Sequence, residues 1–259
     1  MATASSSSSV TNKPTLLLVQ GSFQLPLVYE TLIKGLEAEG YPTVHPQLPS
    51  CNPGDADFPT RTLADDSRAV TEALQSLIEK DGKYVVVIMH SYGGLVGSDA
   101  VPKELSYESR KQAGAPGGVI HLFYFAAFVL SPGQSVLKAF GESPNNDVRD
   151  DGTFTIKNGA EILYNDLPAE EAALWESRLI PQSYKVQETP LSRAAYEYIP
   201  STYLICENDK AAPTNFQEIF ARAANAEIDR CNAGHSPMLS QPAMLVKKIT
   251  VLADKVTPK

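Results

Sequence analysis

The sequence predicts an α/β fold with a mostly parallel central sheet flanked by helices, and three observations carry that expectation. Short β-rich apolar runs alternate with amphipathic stretches, the pattern of strands joined by crossover helices. Several of the runs are apolar almost continuously, as strands covered on both faces must be. The chain has 259 residues, 43% of them hydrophobic and 20% charged, enough for one large core without disulfide or metal staples.

The expected strands are 15–19, 43–45, 84–89, 119–125, 202–206 and 227–230. Helical patterns fill 26–39, 63–80, 93–101, 214–225 and 242–254. In 63–80, for example, Leu63, Val70, Leu74, Leu77 and Ile78 recur at three- and four-residue spacing and give one apolar face for the sheet. The alternation stops between Ser131 and Arg193, where the chain turns polar and rich in Pro, Asn and Asp, with a short helix-like segment at 169–178. This stretch reads as a cap of residues 131–193 inserted into a core made of 13–130 and 194–259. It carries Trp175, Phe140, Phe154, Tyr164 and Tyr184, enough aromatic surface to pack onto something. Residues 1–12, with the run Ser5 to Ser9, read as a disordered tail, because they offer neither a positive nor an apolar leader segment.

Net charge is −8, with 22 basic against 30 acidic residues and no basic cluster, so the sequence argues against nucleic-acid and anionic-membrane partners. The longest apolar stretch, 119–130, is too short to span a bilayer and contains His121. Cys51, Cys206 and Cys231 are odd in number, widely spaced and without a CxxC pair, which suits a reducing, cytoplasmic setting and offers no zinc spacing. Nothing in the sequence requires a metal or organic cofactor. A homodimer is compatible with it but not specified by it.

The most informative stretch is Tyr84 to Gly94, where an apolar strand runs straight into Ser91 and Gly93-Gly94 open a helical pattern. A serine nucleophile needs this context, a tight strand-to-helix turn that projects its hydroxyl, with small residues letting strand and helix approach. Met89 stands where the usual pattern has its first glycine. Four histidines could serve as base. His45 precedes Pro46, His90 neighbours the serine, and His121 lies in a buried strand pattern, so each is read as structural. His235 follows a strand in the loop Asn232 to Pro237, with Gly234 free to turn it inward, and is the best base. An orienting acid should follow another strand on the same sheet edge. Glu207 and Asp209 both qualify, Asp209 lying further into its loop. The chain order Ser, acid, His restricts the arrangement to one of the known serine-hydrolase types. Oxyanion stabilisation would come from the backbone N–H groups of Tyr92, after the serine, and Ser22, in the loop after the first strand.

These residues resemble the α/β-hydrolases over nearly the whole chain after the Ser-rich tail. The likeness is to the small cofactor-free branch of plant methylesterases, hydroxynitrile lyases and pyrethroid-hydrolysing esterases, with the look of a fungal member. It rests on residues 17–22 (LLVQGS), His90-Ser91-Tyr92-Gly93-Gly94, residues 125–129 (FAAFV) leading into Pro132-Gly133, residues 199–203 (IPSTY), and residues 234–242 (GHSPMLSQP). The resemblance implies the α/β-hydrolase fold, a triad of Ser91, Asp209 and His235, and action on a small ester or lactone. Two departures stand out. Gln20 occupies a position that is usually His, and Ser236 stands where the hydroxynitrile lyases have Lys, which argues against lyase chemistry. Phe23, Phe128, Tyr164, Trp175 and Met238 are the expected substrate-binding residues. A ligand-binding receptor and a non-hydrolytic lyase or carbon–carbon cleaving enzyme are the alternative uses of the same site.

Overall fold

The computed structural model describes residues 13–259, so the expectation of a disordered tail falls outside the described residues. The described residues form nine strands: β1 (Thr15–Val19), β2 (Thr43–Val44), β3 (Tyr84–His90), β4 (Gly118–Phe125), β5 (Asn146–Val148), β6 (Thr153–Ile156), β7 (Gln182–Ser183), β8 (Ser201–Cys206) and β9 (Glu227–Cys231). Six of them make one all-parallel sheet in the order β2-β1-β3-β4-β8-β9. β1, β3, β4 and β8 are buried along nearly their whole length, which is why their sequences are almost uninterrupted apolar runs.

Both faces of this sheet are covered by helices, as parallel crossovers require. In chain order the helices of the described residues are α1 (Glu30–Ala38), α2 (Leu63–Gln75), α3 (Gly93–Ala100), α4 (Tyr107–Gln112), then α5 (Val136–Phe140), α6 (Gly159–Ile162), α7 (Ala169–Glu176) and α8 (Lys185–Glu188), and finally α9 (Thr214–Ala223), α10 (Pro237–Ser240) and α11 (Pro242–Val256). α2 starts at a capping box, in which the Thr62 side chain accepts from the Asp65 N–H and Asp65 answers to the Thr62 N–H. Its last turn, Ser76–Lys80, widens to π-helical spacing. The expected helix at 26–39 divides into a 3₁₀ turn, Pro26–Tyr29, and α1. α4 was not foreseen, because its sequence is polar throughout and none of its residues is buried.

Between β4 and β8 lie α5–α8 and an antiparallel sheet of three short strands in the order β5-β6-β7. The two ends of this stretch are tied together by the Gly133 N–H donating to the Leu191 carbonyl (2.8 Å) and the Leu191 N–H to the Gln134 carbonyl (2.9 Å). Just beyond, buried Asp99 at the end of α3 accepts from the N–H groups of Ser192 (2.6 Å) and Arg193 (3.0 Å). The stretch leaves the core and returns to it at one fixed point. Among the described residues no helix is long and apolar enough to cross a membrane.

Candidate active site

The strand ends β1, β3, β8 and β9 deliver the site. β3 ends at His90, and Ser91 takes a left-handed φ of 52°, a conformation that costs a non-glycine residue energy and aims its side chain out of the strand–helix turn. The glycines that follow are dictated by contact. A Cβ at Gly93 would lie 2.3 Å from the Val19 carbonyl oxygen, and one at Gly94 would lie 2.3 Å from that of Phe128. Met89 replaces the usual small residue before the serine without disrupting the turn, because Gly97, one helical turn into α3, makes room for its thioether. A Cβ at Gly97 would sit 2.4 Å from Met89 Sδ. The 125–129 motif has a similar explanation: Ala126 is left-handed, and the Phe128 N–H donates to the Ser91 carbonyl at 3.0 Å.

Ser91 Oγ lies 3.0 Å from His235 Nε2, and His235 Nδ1 lies 2.9 Å from Asp209 Oδ2. All three are buried. Asp209 Oδ1 accepts from the N–H groups of Ala211 (2.8 Å) and Ala212 (2.9 Å), so the carboxylate is held from one side while its other oxygen faces the imidazole. Gln217 of α9 reaches back to the Cys206 N–H and carbonyl and fixes the strand end from which the Asp209 loop departs. Glu207, the rival acid, points away and pairs with Arg230 at the surface.

The other histidines are structural. His90 is fully buried, 2.7 Å from the Tyr29 hydroxyl through Nδ1 and 2.8 Å from the His235 carbonyl through Nε2. Burial holds its pKa well below the ordinary histidine value, helped by the neighbouring His235. It braces the backbone of the base loop as a neutral ring. Burial also pulls His45 and His121 down to about 4. His121 is 2.9 Å from Thr202 Oγ1 between adjacent strands.

The loop after β1 lies directly against the serine. A Cβ at Gly21 would fall 2.9 Å from both His90 Nδ1 and Ser91 Cβ, so only glycine fits. Gln20, in the usual histidine position, donates from Nε2 to the Gln24 carbonyl at 2.8 Å and ties the loop across its base. Among the described residues the backbone N–H groups of Ser22 and Tyr92 have no protein acceptor, and both residues line the cavity beside Ser91. The Tyr92 hydroxyl donates to buried Asp66 at 2.7 Å, and Asp66 also accepts from the Ser50 N–H (2.8 Å) and hydroxyl (2.6 Å). Burial raises the Asp66 pKa to about 6. Gln182 of β7 joins the cluster by donating to Ser50 Oγ at 2.9 Å. This group is hidden in the sequence, since an Asp in the first turn of a helix reads as dipole compensation.

A cavity of about 440 Å³ opens from Ser91 and His235. Phe23 and Phe128 line it, as expected; Tyr164, Trp175 and Met238 do not. Met238 turns to the opposite face of the sheet, because α10 begins at Pro237 and carries its side chain into the core beside α11. Tyr164 is buried in the core cluster that the β4–β8 stretch shares with the sheet, with burial pushing its hydroxyl pKa up to about 12. Trp175 lies half-buried on α7, its indole N–H 3.5 Å from Glu171 and the Arg178 guanidinium 4.9 Å from its ring centre. The walls come instead from Phe140, Phe154, Phe216 and Phe220, with Leu95 and Ile162. Phe140 of α5 meets Phe128 at 6.2 Å, Phe216 at 6.3 Å and Phe220 at 6.0 Å between ring centres, so one aromatic cluster spans the β4–β8 stretch and α9. The i,i+4 spacing of Phe216 and Phe220 was the available signal for this wall. Among the described residues no group of three or more His, Cys, Asp or Glu side chains could hold a metal ion.

A hydroxyl hydrogen-bonded to an imidazole, itself fixed by a buried carboxylate, can lose its proton as it attacks a carbonyl. Comparison with known proteins fixes the lineage. A family model described as alpha/beta hydrolase family matches residues 16–248. The chain belongs to the alpha/beta hydrolase family. It is 31% identical to the alpha/beta hydrolase nvfD of Aspergillus novofumigatus over 245 residues, 92% of this chain and 95% of that one. A pyrethroid hydrolase from Sphingobium faniae superposes with a TM-score of 0.71 at 20% identity, covering 93% of this chain and 97% of its own. Tomato methylketone synthase I, solved with 2-tridecanone, superposes at 0.74 and 16% identity, covering 95% and 99%. The two structural likenesses carry the fold alone.

Proposed function

We propose that this alpha/beta hydrolase is a serine esterase or lactonase acting on a small ester or lactone with a hydrophobic acyl or alcohol part. The observation that carries the reading is the unbroken run of contacts from Ser91 Oγ through His235 to Asp209, at 3.0 and 2.9 Å, on the floor of a cavity walled by phenylalanines. Ser91 Oγ attacks the ester carbonyl as His235 Nε2 takes its proton. The carbonyl oxygen becomes an oxyanion that accepts from the N–H groups of Ser22 and Tyr92. His235 returns the proton to the departing alkoxide and leaves an acyl-Ser91. Water, deprotonated by the same nitrogen, then releases the acid and restores the hydroxyl. Asp209 keeps the proton on Nδ1 and stabilises the imidazolium at each stage. Residues 131–193 act as the cap that closes the cavity and selects the substrate.

The test is steady-state hydrolysis of a p-nitrophenyl ester series from acetyl to bulky aryl-acyl, for wild type and His235→Ala. The expected result is multiple turnover in the wild type, preference for the hydrophobic members, and loss of turnover in the variant. Saturable binding of such esters with negligible turnover would replace this reading with a receptor-like one.

A further inference from the structure

We infer that Asn165 and Asp166, on the loop between α6 and α7, form a clasp that holds the acid-bearing and base-bearing loops in catalytic register, acting as positioning residues. The inference rests on the reading of Ser91, Asp209 and His235 as the triad. Asp166 Oδ2 accepts the N–H of Gly234, the residue before His235, at 2.6 Å. Asn165 Nδ2 donates to the carbonyl of Asn208, the residue before Asp209, at 3.0 Å. Two adjacent side chains therefore each grip one of the backbone positions that immediately precede the acid and the base.

The two gripped loops are already laced together. Asn208 donates from its N–H to the Ala233 carbonyl at 3.0 Å and from Nδ2 to the Asn232 carbonyl at 2.6 Å. The clasp closes this lacing from the β4–β8 side. It also closes on a bare α-carbon, since a Cβ at Gly234 would lie 2.6 Å from Asp166 Oδ1 and 2.7 Å from Asn165 Oδ1. Those two oxygens are buried and, among the described residues, have no hydrogen-bond partner. Unpartnered buried acceptors cost stability, so the pair is poorly explained as a stabilising contact and well explained as a device for fixing backbone. Neither residue lines the cavity, so they act only through the loops they hold. The segment that walls the substrate cavity is thereby linked to the hydrogen bond between His235 and Asp209.

The experiment measures kcat and KM on p-nitrophenyl acetate, per active site titrated with a fluorophosphonate, for wild type, Asp166→Ala, Asp166→Asn, Asn165→Ala and Gly234→Ala. Small misplacements of catalytic groups cost up to about 100-fold, so Asp166→Ala and Gly234→Ala are expected to lower kcat per titrated site roughly 10- to 100-fold. KM should move less than about threefold, because no substrate contact is lost. Asp166→Asn keeps an acceptor for the Gly234 N–H and should restore most of kcat. Gly234 has no left-handed φ, so Gly234→Ala disturbs the clasp without backbone strain and carries the test if Asp166→Ala does not fold. Wild-type kcat per titrated site in Asp166→Ala and Gly234→Ala, even with fewer folded molecules, overturns the clasp alone. A wild type that neither labels nor turns over overturns the triad reading beneath it.

Discussion

The sheet and the β4–β8 stretch solve opposite problems. The sheet places four polar devices, the loop after β1, Ser91, Asp209 and His235, at the ends of parallel strands, of which β1, β3 and β8 are buried and β9 forms the edge. The β4–β8 stretch has strands of two to four residues and helices of four to eight, and it brings apolar side chains, Val136, Phe140, Phe154, Ile156 and Ile162, to the cavity together with residues 141–146. On the proposed reading, rigid backbone supplies the chemistry and packed side chains supply the selectivity. Mutations in the two regions should therefore fail in different ways, the first in kcat for every substrate and the second in the choice among substrates.

The largest effect expected is on the sheet side. His235→Ala should lower kcat by about 10⁴-fold or more for all esters alike, and Asp209→Asn by about 10⁴-fold, since a buried orienting acid can be replaced by its amide only at the cost of the wrong imidazole tautomer. Comparing kcat on a short and a bulky ester checks this, and a substrate-dependent loss would blur the division. In the aromatic wall, Phe140→Ala in the β4–β8 stretch and Phe216→Ala in α9 should reduce kcat/KM for a bulky aryl ester about tenfold, the value of removing part of an apolar wall, while acetyl ester turnover changes little. Trp175→Ala should leave that ratio within about twofold, because the indole faces Glu171 and Arg178 and not the cavity.

Stability should respond to pH through groups of the core. His45 and His121, both near 4 in the folded chain, and the buried His90 bind their protons more weakly than in the unfolded chain. Between about pH 6.5 and 4 the unfolded chain therefore holds more protons, and stability falls as pH falls through that window. Asp66, at about 6, has the opposite sign. From about pH 4 to 6 the folded chain holds the extra proton, so this carboxyl loses stability as pH rises. Urea melts of wild type and Asp66→Asn should show the variant gaining up to roughly 3 kcal/mol relative to wild type between pH 4 and pH 7. Equal pH dependence would mean that its three donors hold Asp66 as a carboxylate throughout.

The same contrast explains what could be read in advance. β1, β3, β4 and β8 were legible because burial on both faces leaves a continuous apolar run, and Ser91 was legible because such a run ends just before it and two glycines follow. His235 emerged because the other three histidines had structural uses. In the β4–β8 stretch no strand exceeds four residues, too short for a period to be counted, and the β5-β6-β7 sheet left no signal. Phe140 and Trp175 look alike as letters, and only the fold turns one to the cavity and the other to Arg178. Asn165-Asp166 reads as a turn dipeptide, because its partners, Asn208 and Gly234, lie dozens of residues away. The compensation of Met89 by Gly97 was not legible, because it depends on a contact across the strand–helix turn.

The central claim is that Ser91 is an activated nucleophile. Its most direct test is reaction of the wild type and Ser91→Ala with an active-site-directed fluorophosphonate, read by intact mass and peptide mapping. The account predicts stoichiometric modification at Ser91 in the wild type and none in the variant, with both chains equally folded. A folded wild type that stays unmodified, or equal modification of Ser91→Ala, would contradict it.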